Sequence, residues 1–464
     1  MKLFDIEPRI TGDVRFGSDK RDSTILAGRL AEKSGKQDCQ LLFDASENFV
    51  VFEVGKRGSG KSYGMGALLE GFATMRGSKI AEHGHPKAVL LLDPLDVHWT
   101  AIQPLRAEGP PALRQQYQIF KDWSGDAEPE PIQAQVFLPA GYEREFDDPR
   151  FRPYQIPVSS LGPGDWALLL KTDLVCETRG RLVDEAYRKV TELGWEEDSG
   201  NRHEPVEEYS IESLLECIQG DGEIQQLYAG ETIRSVEQPL RSLARMPLFG
   251  STTGTPMSEL AQSGVLSILR LARLPEDLRV VVTTVIVRRL KEERMHASEL
   301  RRKLMLQATV DADERARIEK ALEGSVPKTV LAIDEAQMLM PAQGASTARK
   351  ALDSFVLEGR NYGLSLWLAT QRPKGAISDA AISQIDTFVV HRLSVAEDIS
   401  AVCGLLQNAL PDVMRLHGKE IKLPDLIRQL DVGQAIFSSA VSDAKRFVIG
   451  TIRPRNVAHG GDSF

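Results

Sequence analysis

The chain has 464 residues, of which 42% are hydrophobic and 27% charged, with a net charge of −9. This is an ordinary globular composition, long enough for two or three units, and its negative balance excludes an overall basic field that would attract nucleic acid. The four cysteines are scattered without a CxxC pair, which argues against a zinc site or a disulfide framework. Because no apolar stretch reaches membrane-spanning length, we expect a cytoplasmic protein without membrane contact.

The first 48 residues are mixed in character. Residues 12–17 and 39–44 have the pattern of short strands between polar turns. We therefore predict a short β-rich N-terminal segment that is too small for an independent barrel.

A glycine-rich loop follows the apolar run 49–54 and precedes the helical-looking stretch 63–75. Its sequence, Gly-Lys-Arg-Gly-Ser-Gly-Lys-Ser, fits the phosphate-binding pattern GxxxxGK[ST]. Glycines let backbone N–H groups curl around a phosphate, and the helix directs its positive end at the anion. The alternative, a glycine-rich surface turn, does not explain the flanking strand and helix. The predicted nucleotide-binding residues are Gly55, Arg57, Gly58, Ser59, Gly60, Lys61, Ser62 and Tyr63.

Two residues of this loop have predicted chemical roles. Lys61 can reach the β- and γ-phosphates of ATP, and the Ser62 hydroxyl can hold Mg²⁺. ATP and Mg²⁺ are therefore the expected cofactors.

The middle of the chain changes from strand-like to helical patterns. A buried strand at 88–93 ends at Asp93, which suits either a position behind the nucleotide or an Asp-Pro turn. A shorter strand is predicted at 133–139 and a Pro- and Gly-punctuated linker at about 145–162. Residues 163 to about 250 show helical periodicity, which predicts a helical insertion.

A second strong signal lies at the end of a predicted strand, 329–333. Four of these five residues are apolar, and two acids, Asp334 and Glu335, follow them. In an NTPase the first acid holds Mg²⁺ and the second deprotonates the attacking water, so we assign Asp334 to the metal and Glu335 as the catalytic base. The alternative is a pair of acids at a helix start.

The remaining strands complete an alternating pattern. Strands are predicted at 264–271, 364–370 and 387–392, and Gln371, directly after the second of these, is the candidate phosphate sensor. Strands that alternate with helices predict an α/β, doubly wound core interrupted by a helical insertion. The predicted units are 1–48 (N-terminal segment), 49–145 (first part of the core), 146–260 (mainly helical insertion) and 261–464 (second part of the core).

These segments resemble the HerA/FtsK superfamily of P-loop ATPases, and bacterial HerA-like DNA translocases most closely. The most specific match is Ala-Thr-Gln-Arg-Pro at 369–373, with Gly-Arg-Asn-Tyr-Gly-Leu shortly before it. The acid pair is often followed by Ala-His in this family, whereas this chain has Gln337. The other matching segments are 55–62, 92–94, 333–337 and 452–455.

The resemblance implies a RecA-like fold and a homo-hexameric ring that hydrolyses ATP between subunits and moves double-stranded DNA through its pore. The implied catalytic residues of one subunit are Lys61, Glu335 and Gln371. An arginine from the neighbouring subunit would complete each site; Arg360 ranks first, with Arg372 and Arg392 as further candidates, and each of them could equally be a salt-bridge partner. By the same resemblance Arg453 and Arg455 would contact the interface or the nucleotide.

The resemblance also implies a separate effector, such as a nuclease or a sirtuin-like NAD-consuming enzyme, in DNA processing or phage defence. Residues before 49 or the helical insertion would form its docking surface. The alternative is an ATP-dependent ring scaffold or switch that activates an effector without moving along DNA. A P-loop kinase agrees poorly with the ring-type arginines and the Ala-Thr-Gln strand end.

Overall fold

The computed structural model describes residues 5–6, 12–18, 20–31, 39–74, 77–83, 86–142, 148–250, 253–306, 311–340, 347–374, 378–406, 414–416, 418–439 and 446–461. The strands of this part of the chain are β1 Asp5–Ile6, β2 Val14–Gly17, β3 Ser23–Leu30, β4 Gln40–Asp44, β5 Val50–Val54, β6 Ala81–His83, β7 Ala88–Asp93, β8 Ala134–Pro139, β9 Phe151–Tyr154, β10 Trp195–Glu196, β11 Arg202–His203, β12 Leu266–Arg270, β13 Thr329–Ile333, β14 Leu364–Thr370, β15 Thr387–Val390, β16 Met414–Leu416, β17 Lys419–Glu420, β18 Gln434–Ser439 and β19 Arg446–Ile452. The helices are α1 Lys61–Glu70, α2 Pro111–Ser124, α3 Pro163–Leu170, α4 Thr178–Arg188, α5 Ile211–Gly220, α6 Gly222–Leu227, α7 Gly230–Ala244, α8 Met257–Leu260, α9 Glu276–Leu306, α10 Ala312–Glu323, α11 Ala336–Leu339, α12 Thr347–Glu358, α13 Asp379–Ile382, α14 Ala396–Leu406 and α15 Leu423–Gln429.

One large sheet organises the fold. Its described strands lie in the order β2-β4-β3-β19-β18-β15-β5-β14-β13-β7-β12-β8-β9, with β6 beside β3. All strands from β15 to β9 run parallel. Strands β5, β7, β13 and β14 are buried along their whole length, as continuous apolar runs require in a sheet covered on both faces. The predicted RecA-like α/β fold is confirmed.

The strongly apolar strands lie where the sequence predicts them, within a few residues at each end. Strand β3 and the hairpin of β18 and β19 were not predicted. Gly28 breaks the pattern of β3, but a side chain there would collide with the carbonyl oxygen of Thr451 in β19. The glycine therefore allows the close pairing of β3 with β19 that joins the N-terminal strands to the core sheet.

The predicted linker at 145–162 contains strand β9, which is an error of the sequence prediction. Strand β9 pairs in parallel with β8 and ends the sheet. Pro153 is tolerated there because an edge strand leaves one side of its backbone unpaired.

The helices that follow β9 share a core with the sheet. Trp166 of α3 and Leu240 of α7 belong to the same apolar cluster as Leu331 of β13. The Trp166 indole donates to the hydroxyl of Tyr209 at 2.8 Å, so its one polar group is satisfied in this core. Among the described residues, no helix combines the length and the apolar character needed to cross a membrane.

Candidate active site

The glycine loop forms the turn between β5 and α1 that its sequence predicts. Gly60, the residue before α1, has φ +95°, a left-handed conformation that favours glycine. At Gly55 a Cβ atom would lie 2.8 Å from the Cβ of His391, so the loop could not pack as it does with a larger residue. The backbone N–H of Lys56 donates to the carbonyl of Arg392 (3.1 Å), which anchors the loop to the chain after β15. The loop is thus built as a rigid cradle for an anion.

Lys61 lies between the two predicted acids. Its ammonium is 2.5 Å from Asp334 Oδ1 and 3.1 Å from Glu335 Oε1. Burial alone would lower the pKa of Lys61, but the two carboxylates outweigh this effect and hold it above its ordinary value. The structure therefore brings together Lys61, Asp334 and Glu335, which are far apart in sequence, as one charged cluster.

Asp334 has a second partner that the sequence analysis missed. Nε2 of His98 lies 3.0 Å from Asp334 Oδ2, and the histidine is 1% exposed. Burial alone would raise the pKa of Asp334, but Lys61 and His98 hold it well below its usual range. The signal in the sequence was weak, because His98 follows the end of β7 only after a turn.

Asp93 shapes that turn. Its carboxylate accepts hydrogen bonds from the backbone N–H groups of Leu95, Val97 and His98, the last at 2.8 Å. Of the two alternatives for Asp93, the structure shows the turn. The residue still reaches the site indirectly, since it fixes the backbone of His98.

Glu335 sits in a strained and fully engaged position. Its φ of +48° is unusual for a residue with a side chain, and such strain is typical of functional sites. The amide of Gln371 donates to Oε1 at 2.7 Å, and that of Gln337 donates to Oε2 at 2.5 Å. Thr370 in turn donates to the Gln337 oxygen at 2.7 Å. Gln337 thus connects the acid to the end of β14 in the position where the family often has histidine.

The residues predicted to hold Mg²⁺ converge on one point. Ser62 Oγ and Asp334 Oδ1 lie 3.4 Å and 2.5 Å from the same Lys61 ammonium. A hydroxyl and a carboxylate are the oxygen donors that Mg²⁺ takes from a protein when water and phosphates supply the other ligands. Ser62 and Asp334 therefore fit the ion.

The arginine candidates divide between the two edges of the sheet. Arg392 follows β15 and Arg372 follows β14, so both lie at the carboxyl edge with the glycine loop. Arg360 precedes β14 at the opposite edge, where it forms an ion pair with Asp386. The structure thus places Arg360 away from the nucleotide site of its own chain.

The C-terminal arginines bind α1 rather than a nucleotide, which corrects the expectation from the resemblance. Glu70 is fully buried and pairs with Arg455 at 2.7 Å and Arg453 at 3.2 Å. Tyr63, a predicted nucleotide-binding residue, accepts a hydrogen bond from the Arg455 N–H at 2.9 Å. These contacts attach the C-terminal segment to the helix that follows the glycine loop.

The comparisons with known proteins agree with this geometry. The family model for the central domain of the helicase HerA matches residues 54–290, just over half of the chain. The DNA double-strand break repair helicase HerA of Pyrococcus furiosus is 23% identical over 215 residues, covering 43% of this chain and 38% of that protein. The chain therefore spans well under half the length of this relative.

Two solved structures of similar architecture were found. VirB4 of Thermoanaerobacter pseudethanolicus superposes with a TM-score of 0.52 at 14% identity, covering 95% of this chain and 98% of that chain. The plasmid coupling protein TrwB, in complex with ADP and Mg²⁺, gives a TM-score of 0.44 at 12% identity, covering 96% and 97%. The likeness to VirB4 supports the fold. With the family match over more than half its length, the chain belongs to the HerA family of P-loop ATPases, within the HerA/FtsK superfamily.

Proposed function

We propose that the protein hydrolyses ATP and uses the energy to move double-stranded DNA through a homo-hexameric ring. The observation that carries this proposal is the cluster at the carboxyl edge of the sheet, where Lys61, Asp334 and Glu335 meet within 3.1 Å. Gln371, from the segment most specific to DNA-motor ATPases, donates to the same Glu335.

The hydrolytic roles follow from these contacts. When phosphates enter the glycine loop, Lys61 exchanges its carboxylate partners for phosphate oxygens, which releases Glu335 to orient and deprotonate a water. Gln371 then keeps the Glu335 carboxylate in place. Bound Mg²⁺, held by Ser62 and Asp334, neutralises charge on the phosphates.

Assembly into a ring would complete the site. Arg360 lies at the opposite edge from its own glycine loop, as suits a residue that reaches the nucleotide of an adjacent copy. An arginine supplied in trans stabilises negative charge in the transition state. Arg392 lies beside the glycine loop of its own chain and suits a cis role.

Stimulation of ATP hydrolysis by duplex DNA tests the motor function. We expect the ATPase rate to rise with duplex DNA at low salt and to lose this stimulation steeply as salt increases, because phosphate contacts release counterions. If DNA changes neither the rate nor the electrophoretic mobility of the protein, the translocase function is wrong.

The substitution Glu335→Gln separates binding from hydrolysis. It should abolish turnover, with a loss of roughly 100-fold or more, while ATP binding and assembly persist, because the amide keeps the shape but cannot accept the proton. Loss of ATP binding in this variant would contradict the assignment of Glu335 as base.

The net charge of −9 favours one alternative, a ring that acts as an ATP-dependent scaffold or switch. In that case the effector that we expect from the family resemblance, a nuclease or an NAD-consuming enzyme in DNA processing or phage defence, would respond to nucleotide state alone. ATP hydrolysis that depends on the effector and not on DNA would support this alternative.

A further inference from the structure

A second polar cleft lies at the amino edge of the sheet, opposite the glycine loop. Its volume is about 440 Å³, within the range of small-molecule sites. The described residues that line it include four basic side chains, two acids and three neutral polar side chains: Lys20, Lys87, Lys328, Arg360, Asp22, Glu47, Ser23, Ser46 and Asn48.

The register of the parallel strands places two lysines side by side on this cleft. Lys87 and Lys328 directly precede β7 and β13, in which Ala88 is paired with Thr329. The N–H of Ala88 donates to the carbonyl of Lys328 at 2.9 Å, so the two backbones are in contact. Like charges held this close by the sheet are unfavourable unless an anion joins them.

The acids of the cleft do not supply that anion. Glu47 is paired with Lys20 at 2.6 Å, and Asp386, behind the cleft, is paired with Arg360. In the described part of the chain neither Lys87 nor Lys328 forms an ion pair, and Asp22 is exposed.

Lys87 is the least expected of the lining residues. It is only 4% exposed, and its ammonium donates to the carbonyl of Glu47. Burial and the neighbouring Lys328 lower its pKa to about 7. A buried cation without a carboxylate partner is costly, which indicates that a negative ligand belongs here.

We propose that this cleft binds the phosphate groups of a nucleotide, and that in an assembly it receives the terminal phosphates held by the glycine loop of an adjacent copy. The inference rests on the proposed ATPase function and deepens it, because it adds Lys328 and Lys87 to Arg360 as residues that act across an interface. Ammonium groups and a guanidinium, with the hydroxyls of Ser23 and Ser46, suit an anion with several oxygens.

The chain's own nucleotide cannot reach the cleft. A strand of five residues such as β13 separates the two edges of the sheet by about 16 Å. A head-to-tail contact, by contrast, brings two different surfaces of the same chain together, as required for a ring.

Anion binding is tested first, without hydrolysis. Tripolyphosphate is titrated by calorimetry at low salt into the Lys61→Ala variant, in which the glycine loop is disabled. We expect saturable binding that becomes roughly 10-fold weaker when Lys328→Gln is added, since a hydrogen bond to a charged group contributes about 1.5–3 kcal/mol. Lys328 is exposed, so this variant should fold.

The matched control adds Lys320→Gln, an exposed lysine of α10 outside the cleft, and should leave binding unchanged. The substitution Lys87→Met, which keeps the apolar length of the side chain, should weaken binding as Lys328→Gln does. No saturable binding, or equal binding in the Lys328 and Lys320 variants, would overturn the proposal.

Mixed assemblies then test the source of the phosphate. Lys328→Gln and Lys61→Ala should each be nearly inactive alone but recover up to about one quarter of wild-type activity when mixed equally, because that share of head-to-tail interfaces is intact. No recovery would contradict action in trans. If the wild type hydrolyses no ATP, the proposed function fails while the tripolyphosphate result still decides whether the cleft binds phosphate.

Discussion

At the scale of single residues, His98 is the most informative addition to the predicted site. It contacts the carboxylate oxygen of Asp334 that Lys61 does not contact. We interpret it as a positioning residue, which keeps Asp334 in one rotamer while Lys61 changes partners.

Substitution of His98 tests this role. His98→Ala should lower kcat of ATP hydrolysis by about 10-fold with a smaller change in KM, because an orienting hydrogen bond to a charged group is lost. His98→Gln, whose amide can also donate, should restore part of kcat. Equal losses in both variants, with equal losses of stability, would indicate a structural role only.

Lys87 predicts a pH dependence of stability. Its folded pKa of about 7 lies below the ordinary 10.5, so between these values the unfolded chain binds more protons than the folded chain. The penalty of burying the charge is complete below pH 7 and is relieved as pH rises, by at most about 1.4 kcal/mol per pH unit.

Urea unfolding in phosphate-free buffer at pH 7 and pH 9 measures this effect. Relative to Lys87→Met, the wild type should gain stability between the two pH values. The Lys320→Gln variant should follow the wild type. A constant difference between wild type and Lys87→Met would show that Lys87 does not titrate in this range.

At the scale of elements, the contact between α1 and the C-terminal segment is the main device that holds the glycine loop's helix. Glu70 has no solvent exposure and accepts from two arginines and from the Asn456 N–H at 2.9 Å. Arg455 also donates to Nδ1 of His459, whose pKa burial and the guanidinium lower to about 2, so the imidazole stays neutral.

The variant Glu70→Gln should destabilise the fold by about 3–5 kcal/mol, because it leaves buried guanidinium charges uncompensated. Asp425→Asn is the control: it breaks an exposed pair with Arg428 (3.1 Å apart) and should cost less than about 1 kcal/mol. Urea unfolding compares the two, and similar small losses would contradict the importance of the buried cluster.

A buried acid also lies beneath the glycine loop. Glu53 of β5 accepts from the Trp367 indole at 2.7 Å, and Nε2 of His391 lies 2.8 Å from its other oxygen. These bonds cross from β5 to β14 and to the end of β15. They fix the strands whose ends carry the loop and Gln371.

At the scale of the whole molecule, the parallel sheet separates two sets of functional candidates. The carboxyl edge holds the glycine loop, the acids and Gln371, and the amino edge holds Arg360 and the basic cleft. A head-to-tail ring is the arrangement that would join one edge to the other across an interface.

Complementation tests this arrangement for Arg360. Arg360→Ala and Lys61→Ala should each be inactive, and an equal mixture should recover up to about one quarter of wild-type activity, by the same counting of intact interfaces. Arg392→Ala, at the carboxyl edge, should not recover with Lys61→Ala if it acts in cis. A mixture of Arg360→Ala and Lys61→Ala without activity would contradict a trans role for Arg360.

The sequence by itself determined the apolar strands and the motifs at their ends. Runs such as 88–93 and 364–370 are read correctly because burial on both faces leaves no choice of side chain. Gly55, Lys61 and Asp334 were identifiable because phosphate and metal chemistry restricts the residue types at those spacings.

Tertiary structure alone decided the partners. His98 and Glu70 carry no local pattern, since their contacts Asp334 and Arg455 lie hundreds of residues away in the chain. Strand β3 was missed because its glycine serves a neighbouring backbone, and Lys87 and Lys328 became a pair only through the register of β7 and β13. Local sequence constrains a residue's own conformation and burial, whereas pairing depends on which distant segments the sheet brings together.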